Sequence, residues 1–329
     1  MNHIIKRNVI TFMNSFNYLN DCDSNKHLHN VLTNFSNQVG PNDVVLHDGW
    51  LTEEYIKETI EYLQNKSIRN IYYISLVDEM SYLWEECTHR LGKICEQVKV
   101  LGNTEFINKE YYSFWLDFVY TYRQDFLSFN VKDIQPQPKT FMCLNRKRHH
   151  HRFYLWRALR DKKLSKHGHI SYGNLQNLLE DVKNECEFEI RIKIPNNIQS
   201  LGHPNNWNTH FLNIVTETGI QLTEKHFFIS EKTFKPIVGH RPFVVLSGSR
   251  FYNRLHDLGF DTFDDIFGTG YKADSLTGIV NWIIDVIQEM EKENKIALYK
   301  KLLPRLEENY NVFLKVGKEN QKRRDNLCR

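Results

Sequence analysis

Residues 229–238 read Ile-Ser-Glu-Lys-Thr-Phe-Lys-Pro-Ile-Val and combine groups that suit a phosphate. Ser230 is placed to cap a helix, Glu231 and Lys232 follow at once, and Lys235 comes one turn later. A helix start offers unpaired N–H groups and a partial positive charge, and lysines add mobile cations, so the run predicts a phosphate site. Glu231 suits hydrogen bonds from ribose hydroxyls. An ordinary capped helix with solvated lysines explains the same residues.

A second basic run, Asn-Arg-Lys-Arg-His-His-His-Arg at 145–152, follows a strand-like segment. Arginine forks bind a diphosphate through two parallel hydrogen bonds, which makes Arg146 and Arg152 the candidates. The three adjacent histidines point in three directions on a helix, so they cannot all bind one metal ion. The same run is also typical of a basic patch that contacts nucleic-acid phosphates.

Two halves of alternating strands and helices must position these residues. The predicted strands lie at 7–12, 43–46, 70–76, 97–101, 140–144, 169–172, 212–216 and 242–246. The predicted helices lie at 52–64, 149–161, 174–182, 231–238, 275–291 and 295–315, with a kink at Pro304. Alternation of this kind predicts an α/β fold with parallel sheets, and 329 residues suit two domains. Ligands bind at the carboxyl ends of such strands.

Composition and charge narrow the class of protein. Residues 1–137 carry 12 basic and 18 acidic side chains, whereas residues 138–329 carry 31 basic and 22 acidic side chains. The second half is therefore net positive and suited to phosphates or a polyanion. Without a long apolar run or a secretory leader, we expect a cytoplasmic protein with no membrane span. Six scattered cysteines predict free thiols, and no metal site is assigned to the lone Asp21-Cys22-Asp23 string. The sequence contains no Walker, GxGxxG, GxSxG or HExxH motif. This argues against a P-loop NTPase, a nicotinamide-dependent dehydrogenase, an α/β-hydrolase and a zincin, respectively.

The run 230–237, the Arg-Pro-Phe at 241–243 and the segment 255–263 together resemble the donor-binding domain of GT-B glycosyltransferases. The likeness is to the fucosyltransferase-like and exostosin-like branch, which includes viral and phage members, and for a viral protein the host cytoplasm is implied. The resemblance implies two Rossmann-like parallel-sheet domains facing a cleft, with residues 1–137 on the acceptor side and residues 138–329 binding a nucleotide-sugar.

The resemblance also implies roles for individual residues. Glu231 would contact the ribose and Lys232 the diphosphate, while Glu217, which follows the strand 212–216, would line the nucleotide pocket. The segment from Asn145 to Arg152 resembles the family's entry to the donor domain. We therefore assign donor binding to Arg146, Arg152, Glu217, Ser230, Glu231, Lys232 and Lys235, with no cofactor and no metal.

Glycosyl transfer needs a base that deprotonates the acceptor hydroxyl. In enzymes of this kind the base comes from the N-terminal domain, where His47, Asp48, Asp78 and Glu79 directly follow strands. A base that attacks in line implies inversion at the anomeric carbon. Acids at strand ends also serve as helix caps.

The sequence does not determine which nucleotide-sugar is the donor or which molecule is the acceptor. Phe228 stands where the fucosyltransferases have tyrosine, so GDP-fucose is not implied and UDP-linked and GDP-linked sugars both remain. The acceptor is a glycan or hydroxymethylated DNA, and a DNA acceptor predicts a steep loss of activity with salt. The alternative function is a non-enzymatic nucleic-acid-binding protein on a degenerate GT-B scaffold.

Overall fold

The protein is described here from a computed structural model. It covers residues 4–6, 9–11, 43–48, 57, 60, 61, 63, 64, 67–75, 89, 90, 92, 93, 95–101, 113–123, 132–145, 149–172, 207–217 and 229–326. The chain divides into two compact units, Met1–Phe118 with Gly317–Arg329, and Val119–Val316. The second unit thus begins earlier in the chain than residue 138, and the last residues of the chain belong to the first unit.

The first unit holds a five-stranded sheet in the order β1-β2-β3-β4-β5. Its strands are β1 (Ile4–Lys6), β2 (Val9–Thr11), β3 (Asp43–Asp48), β4 (Ile68–Ser75) and β5 (Cys95–Leu101). The strands from β2 onward pair in parallel, as expected. Within the strand predicted at 7–12, the described residues form β2, which also makes an antiparallel pair with β1, a strand that was not predicted. Within the predicted helix 52–64, Lys57, Ile60, Glu61 and Leu63 are helical, and Leu63 is buried.

The second unit holds a four-stranded, entirely parallel sheet in the order β7-β6-β8-β9. Its strands are β6 (Lys139–Asn145), β7 (Gly168–Tyr172), β8 (His210–Val215) and β9 (Phe243–Val245). Every residue of β8 and β9 is buried, as in a parallel sheet covered on both faces. The mixed α/β class predicted from the sequence is confirmed.

Seven α-helices complete the described part of the chain. They are α1 (Phe114–Thr121), α2 (His150–Asp161), α3 (Glu231–Val238), α4 (Ser249–Asp257), α5 (Asp264–Phe267), α6 (Leu276–Lys292) and α7 (Lys295–Asn326). Helix α7 continues through Pro304 and ends eleven residues beyond the predicted 315. The predicted helix 174–182 lies outside the described residues. In none of the helices of the described part is there a span long and apolar enough to cross a membrane.

The C-terminal part of α7 is fixed to the start of α1 inside the first unit. The Ser113 N–H donates to Asn320 Oδ1 at 2.9 Å, and Asn320 Nδ2 donates back to the Ser113 carbonyl at 2.8 Å. Arg324 donates to the buried carboxylate of Asp117 at 2.7 Å. This explains why residues from the end of the chain belong to the N-terminal unit.

The strand order of the second sheet contains one reversal. From β6 the chain passes through α2 to β7 on one side, whereas from β8 it passes through α3 to β9 on the other. The connections after β6 and β8 therefore leave in opposite directions, and a crevice opens between the carboxyl ends of two such strands. The strands of the first sheet run in sequence order and contain no such reversal among the described elements.

Candidate functional site

Polar residues join the carboxyl ends of β6 and β8. These two strand ends, where the strand order of the second sheet reverses, are called the reversal point below. Asn145 is the last residue of β6 and is buried, and its Oδ1 accepts a hydrogen bond from the hydroxyl of Thr216, which directly follows β8. The amide of Asn145 also donates to Cys143 Sγ at 3.4 Å. Burial, which outweighs that hydrogen bond, raises the pKa of Cys143 to about 11, so this thiol stays protonated at neutral pH.

The first turn of α2 fixes the chain that leaves β8. Arg152 is buried, and its Nη2 donates to the carbonyls of Thr216 and Glu217, each at 2.9 Å. His151 is buried as well and its Nε2 lies 2.9 Å from the same Glu217 carbonyl. Burial lowers the pKa of His151 to about 4, although the carbonyl acts in the opposite direction. The imidazole is thus neutral at pH 7 and donates through Nε2.

Glu217 connects β8 to the start of α3. Its side chain is fully buried, and Oε1 accepts from the Ser230 N–H at 3.0 Å and from the Thr233 hydroxyl at 2.6 Å. The Ser230 hydroxyl donates to the other oxygen, Oε2. Buried polar groups need partners of this kind, and the carboxylate finds three donors within one helical turn.

Lys232 is surrounded by oxygen atoms at the start of α3. Its Nζ donates to Ser230 Oγ at 3.0 Å and lies 3.2 Å from Glu231 Oε1 and 3.9 Å from Glu217 Oε2. The Lys232 side chain is 30% exposed, whereas Glu231 is buried. Burial by itself raises the pKa of Glu231, but the charges of Lys232 and Lys235 and hydrogen bonds outweigh it and lower the pKa. Glu231 is therefore ionised at neutral pH.

The backbone at this helix start differs from the sequence-based expectation. The Ser230 N–H donates to Glu217, the Lys232 N–H to Ser230 Oγ at 3.3 Å, and the Thr233 N–H to the Ser230 carbonyl at 3.2 Å. The N–H groups of Lys232 and Thr233 thus have acceptors within the protein, which reduces the number of backbone donors that this helix start offers to an anion. What the helix start presents to an anion is the side chains of Lys232 and Lys235.

The predicted site residues divide into three groups. The second unit brings together Arg152, Glu217, Ser230, Glu231, Lys232 and Lys235 at or beside the reversal point. His47 and Asp48 are the last two residues of β3 and pair in register with Ile74 and Ser75 at the end of β4. Arg146, Asp78 and Glu79 lie outside the described residues.

Within the first group, exposure separates two kinds of residue. Arg152, Glu217 and Ser230 are buried and bond to other parts of the protein, while Lys232 and Lys235 are partly exposed. Glu231 lies between the two kinds, buried but in contact with Lys232. Residue type and spacing do not predict this separation, because the burial of a polar side chain depends on segments that are distant in the sequence.

A buried arginine that was not among the predicted residues organises the far end of α3. Arg241 donates to the carbonyls of Trp207 at 2.6 and 3.0 Å and of Asp133 at 2.7 Å, and to the Tyr299 hydroxyl at 2.7 Å. Burial lowers the pKa of Arg241. The sequence signal that could have found it is an arginine placed between a helix end and an apolar strand. Its role is structural.

No cluster of three or more His, Cys, Asp or Glu side chains suited to a metal ion occurs in the part of the chain that the structure describes. Comparisons of the chain with protein-family models, with curated proteins and with solved structures gave no match.

Proposed function

We propose that the chain is a nucleotide-sugar-dependent glycosyltransferase whose second unit binds the donor beside the reversal point between β6 and β8. The observation that carries this proposal is the start of α3, where an ionised Glu231 and the lysines at 232 and 235 adjoin the carboxyl end of a parallel sheet. Parallel sheets of this kind bind nucleotides at that edge.

The charges at the helix start fit the two parts of a nucleotide diphosphate. An ionised carboxylate is an acceptor only, so Glu231 suits the donor hydroxyls of a ribose. Lys232 and Lys235 supply positive charge for the diphosphate and would stabilise it as it leaves. Since the N–H groups of Lys232 and Thr233 have acceptors in the protein, the phosphate contacts are assigned to side chains, and Arg146 is the further candidate.

The remaining roles follow the resemblance described above. The base that deprotonates the acceptor is assigned to the N-terminal half, to one of His47, Asp48, Asp78 and Glu79, and the reaction is proposed to invert the anomeric carbon. His47 and Asp48 stand at the carboxyl end of β3, the edge at which open parallel sheets present functional residues. The acceptor is a glycan or hydroxymethylated DNA.

Burial of two residues in the basic run at 145–152 argues against the alternative function, a nucleic-acid-binding protein. A nucleic-acid patch requires side chains that reach phosphates in solvent, but His151 and Arg152 are buried and contact carbonyls of the protein. Two of the residues that suggested the basic patch therefore bind protein carbonyls and do not reach solvent. This favours the nucleotide-sugar proposal over a nucleic-acid-binding protein.

The test is a thermal-shift screen with UDP, GDP, CMP and ADP and with their sugar conjugates. A ligand present at about 100 times its Kd stabilises the folded state by about 2.7 kcal/mol, which gives a clear rise in Tm. We expect one nucleotide diphosphate to raise the Tm of the wild type. Glu231→Ala and Lys232→Ala should each reduce that rise strongly.

The matched control is the Glu289–Lys292 pair on α6, in which Lys292 Nζ lies 2.6 Å from Glu289 Oε1 and both side chains are largely exposed. Glu289→Ala and Lys292→Ala should keep the full rise. A wild type that responds to no nucleotide, together with salt-dependent binding of duplex DNA, would support the nucleic-acid-binding alternative. If a nucleotide does bind, the salt dependence of the transferase activity distinguishes the two acceptors. Activity that falls steeply with salt indicates a DNA acceptor, whereas activity that does not change with salt indicates a glycan.

A further inference from the structure

Glu217 has two sets of contacts that together explain its position. Through its carbonyl it receives hydrogen bonds from His151 and Arg152 of α2, and through its carboxylate it accepts from Ser230 and Thr233 of α3. The side chain is 0% exposed, so a nucleotide at the surface cannot touch it. Its influence on a ligand must therefore pass through a neighbour.

That neighbour is Ser230. A hydroxyl has one proton and two lone pairs, and the proton of Ser230 is directed at Glu217 Oε2. The lone pairs therefore face the other way, and they accept from the Lys232 N–H at 3.3 Å and from Lys232 Nζ at 3.0 Å. In this way the buried carboxylate determines which end of the hydroxyl dipole faces the lysine.

We propose that Glu217 is a positioning residue for Lys232: it fixes Ser230 as an acceptor and, with its own charge 3.9 Å away, holds the ammonium group at the start of α3. This replaces the expected direct contact of Glu217 with the nucleotide. The consequence for donor affinity rests on the proposed function, in which Lys232 contacts the diphosphate. The positioning of the ammonium group itself does not.

Glu217→Gln tests the proposal with little change of shape. The Gln oxygen can still accept from the Ser230 N–H and the Thr233 hydroxyl, but its NH₂ group then faces Ser230 Oγ. The Ser230 hydroxyl must accept from that amide and turn its proton toward Lys232, which is itself a donor. The variant therefore removes a negative charge and reverses the hydroxyl at the same time.

The first measurement is the acylation rate of the Lys232 amine by trace labelling and mass spectrometry, which needs no ligand. We expect Glu217→Gln to raise this rate about tenfold, the factor that corresponds to about 1.4 kcal/mol. Lys235 is the internal reference, and Glu289→Gln on α6 is the control for the same chemical change at an exposed Glu–Lys pair. An unchanged Lys232 rate in folded Glu217→Gln protein overturns the proposal.

Ser230→Ala gives a second, independent variant, which serves if Glu217→Gln does not fold. It keeps the carboxylate and removes the hydroxyl, and it should also raise the Lys232 rate. In the double variant the increase should be smaller than the product of the two single increases, because both act through one contact. An unchanged Lys232 rate in folded Ser230→Ala protein, or strictly multiplicative effects, would contradict transmission through the hydroxyl.

The second measurement compares UDP and GDP with uridine and guanosine. If Glu217 acts through Lys232, Glu217→Gln should weaken binding of the diphosphate about tenfold and leave binding of the nucleoside unchanged. Equal losses for both would indicate general damage to the site and would overturn the positioning role. If the wild type binds none of these four and none of the other nucleotides of the thermal-shift screen, the proposed function fails, while the acylation rates still decide whether Glu217 positions Lys232.

Discussion

Replacing His151 by Gln tests whether the junction of α2 and β8 contributes to stability in a pH-dependent way. His151 is buried and its pKa is lowered from 6.5 to about 4. Below pH 6.5 the unfolded chain therefore takes up a proton that the folded chain does not, and the free energy of unfolding falls until about pH 4, where both states are protonated. Above pH 6.5 the full contribution is present.

The size of this effect follows from the difference in pKa. Because one pKa unit corresponds to about 1.4 kcal/mol, His151 should cost the protein about 3 kcal/mol of stability between pH 6.5 and pH 4. In His151→Gln that loss should disappear, so the variant should gain on the wild type as the pH falls. At pH 7.5 the two should differ by only about 1 kcal/mol, since the Gln amide can replace the imidazole as donor to the Glu217 carbonyl.

The assay is urea unfolding at several pH values from 7.5 to 4, with hydrogen exchange of peptides from α2 and β8 to identify the transition of the second unit. His240, whose pKa burial also lowers to about 4, contributes in the same pH range in both proteins and cancels from the comparison. His150→Gln is the matched control, because the adjacent His150 is exposed. If His151→Gln loses as much stability on acidification as the wild type, the assignment of a neutral buried imidazole is refuted.

Two further substitutions test the packing around α3. Arg241→Met removes the guanidinium that donates to the Trp207 and Asp133 carbonyls and should lower the free energy of unfolding in urea by about 1–3 kcal/mol, the cost of leaving a buried polar group unsatisfied; a loss below about 1 kcal/mol would contradict the described network. Gly239→Ala should cost about 1–3 kcal/mol, because the added Cβ would lie 2.4 Å from the Trp207 ring; a Tm equal to that of the wild type would show that the ring is not packed there.

Local sequence patterns were sufficient for most elements of the second unit. Helix α3 spans the predicted residues 231–238, and its predicted cap, Ser230, accepts from the Lys232 N–H. Strands β6 and β8 lie within two residues of their predicted limits, because a short apolar run bounded by polar residues is typical of a strand in a parallel sheet. Of the strand predicted at 7–12, the described residues Val9–Thr11 form β2, whereas the short strand β1 was not predicted, because three residues carry too little periodicity to detect.

Other features required the tertiary structure. The resemblance assigned Glu217 and Arg152 to donor binding. In the structure, Arg152 donates to the carbonyl of Thr216, 64 residues away, and the Glu217 carboxylate accepts from Ser230, 13 residues away. Local patterns reveal which residues are charged and where elements begin. They do not reveal that the reversal of strand order brings the ends of β6 and β8 and the starts of α2 and α3 together.

Local sequence and tertiary structure thus determine different features of the site. Residue types and their spacing determined that an acid and two lysines begin α3 after a parallel strand, because capping and amphipathic periodicity are local properties of the chain. The three-dimensional fold decided which of the charged groups reach solvent, because burial and hydrogen-bond partners depend on segments distant in sequence. For that reason Lys232 and Lys235 are presented to a ligand while Glu217 and Arg152 hold the helix starts in place.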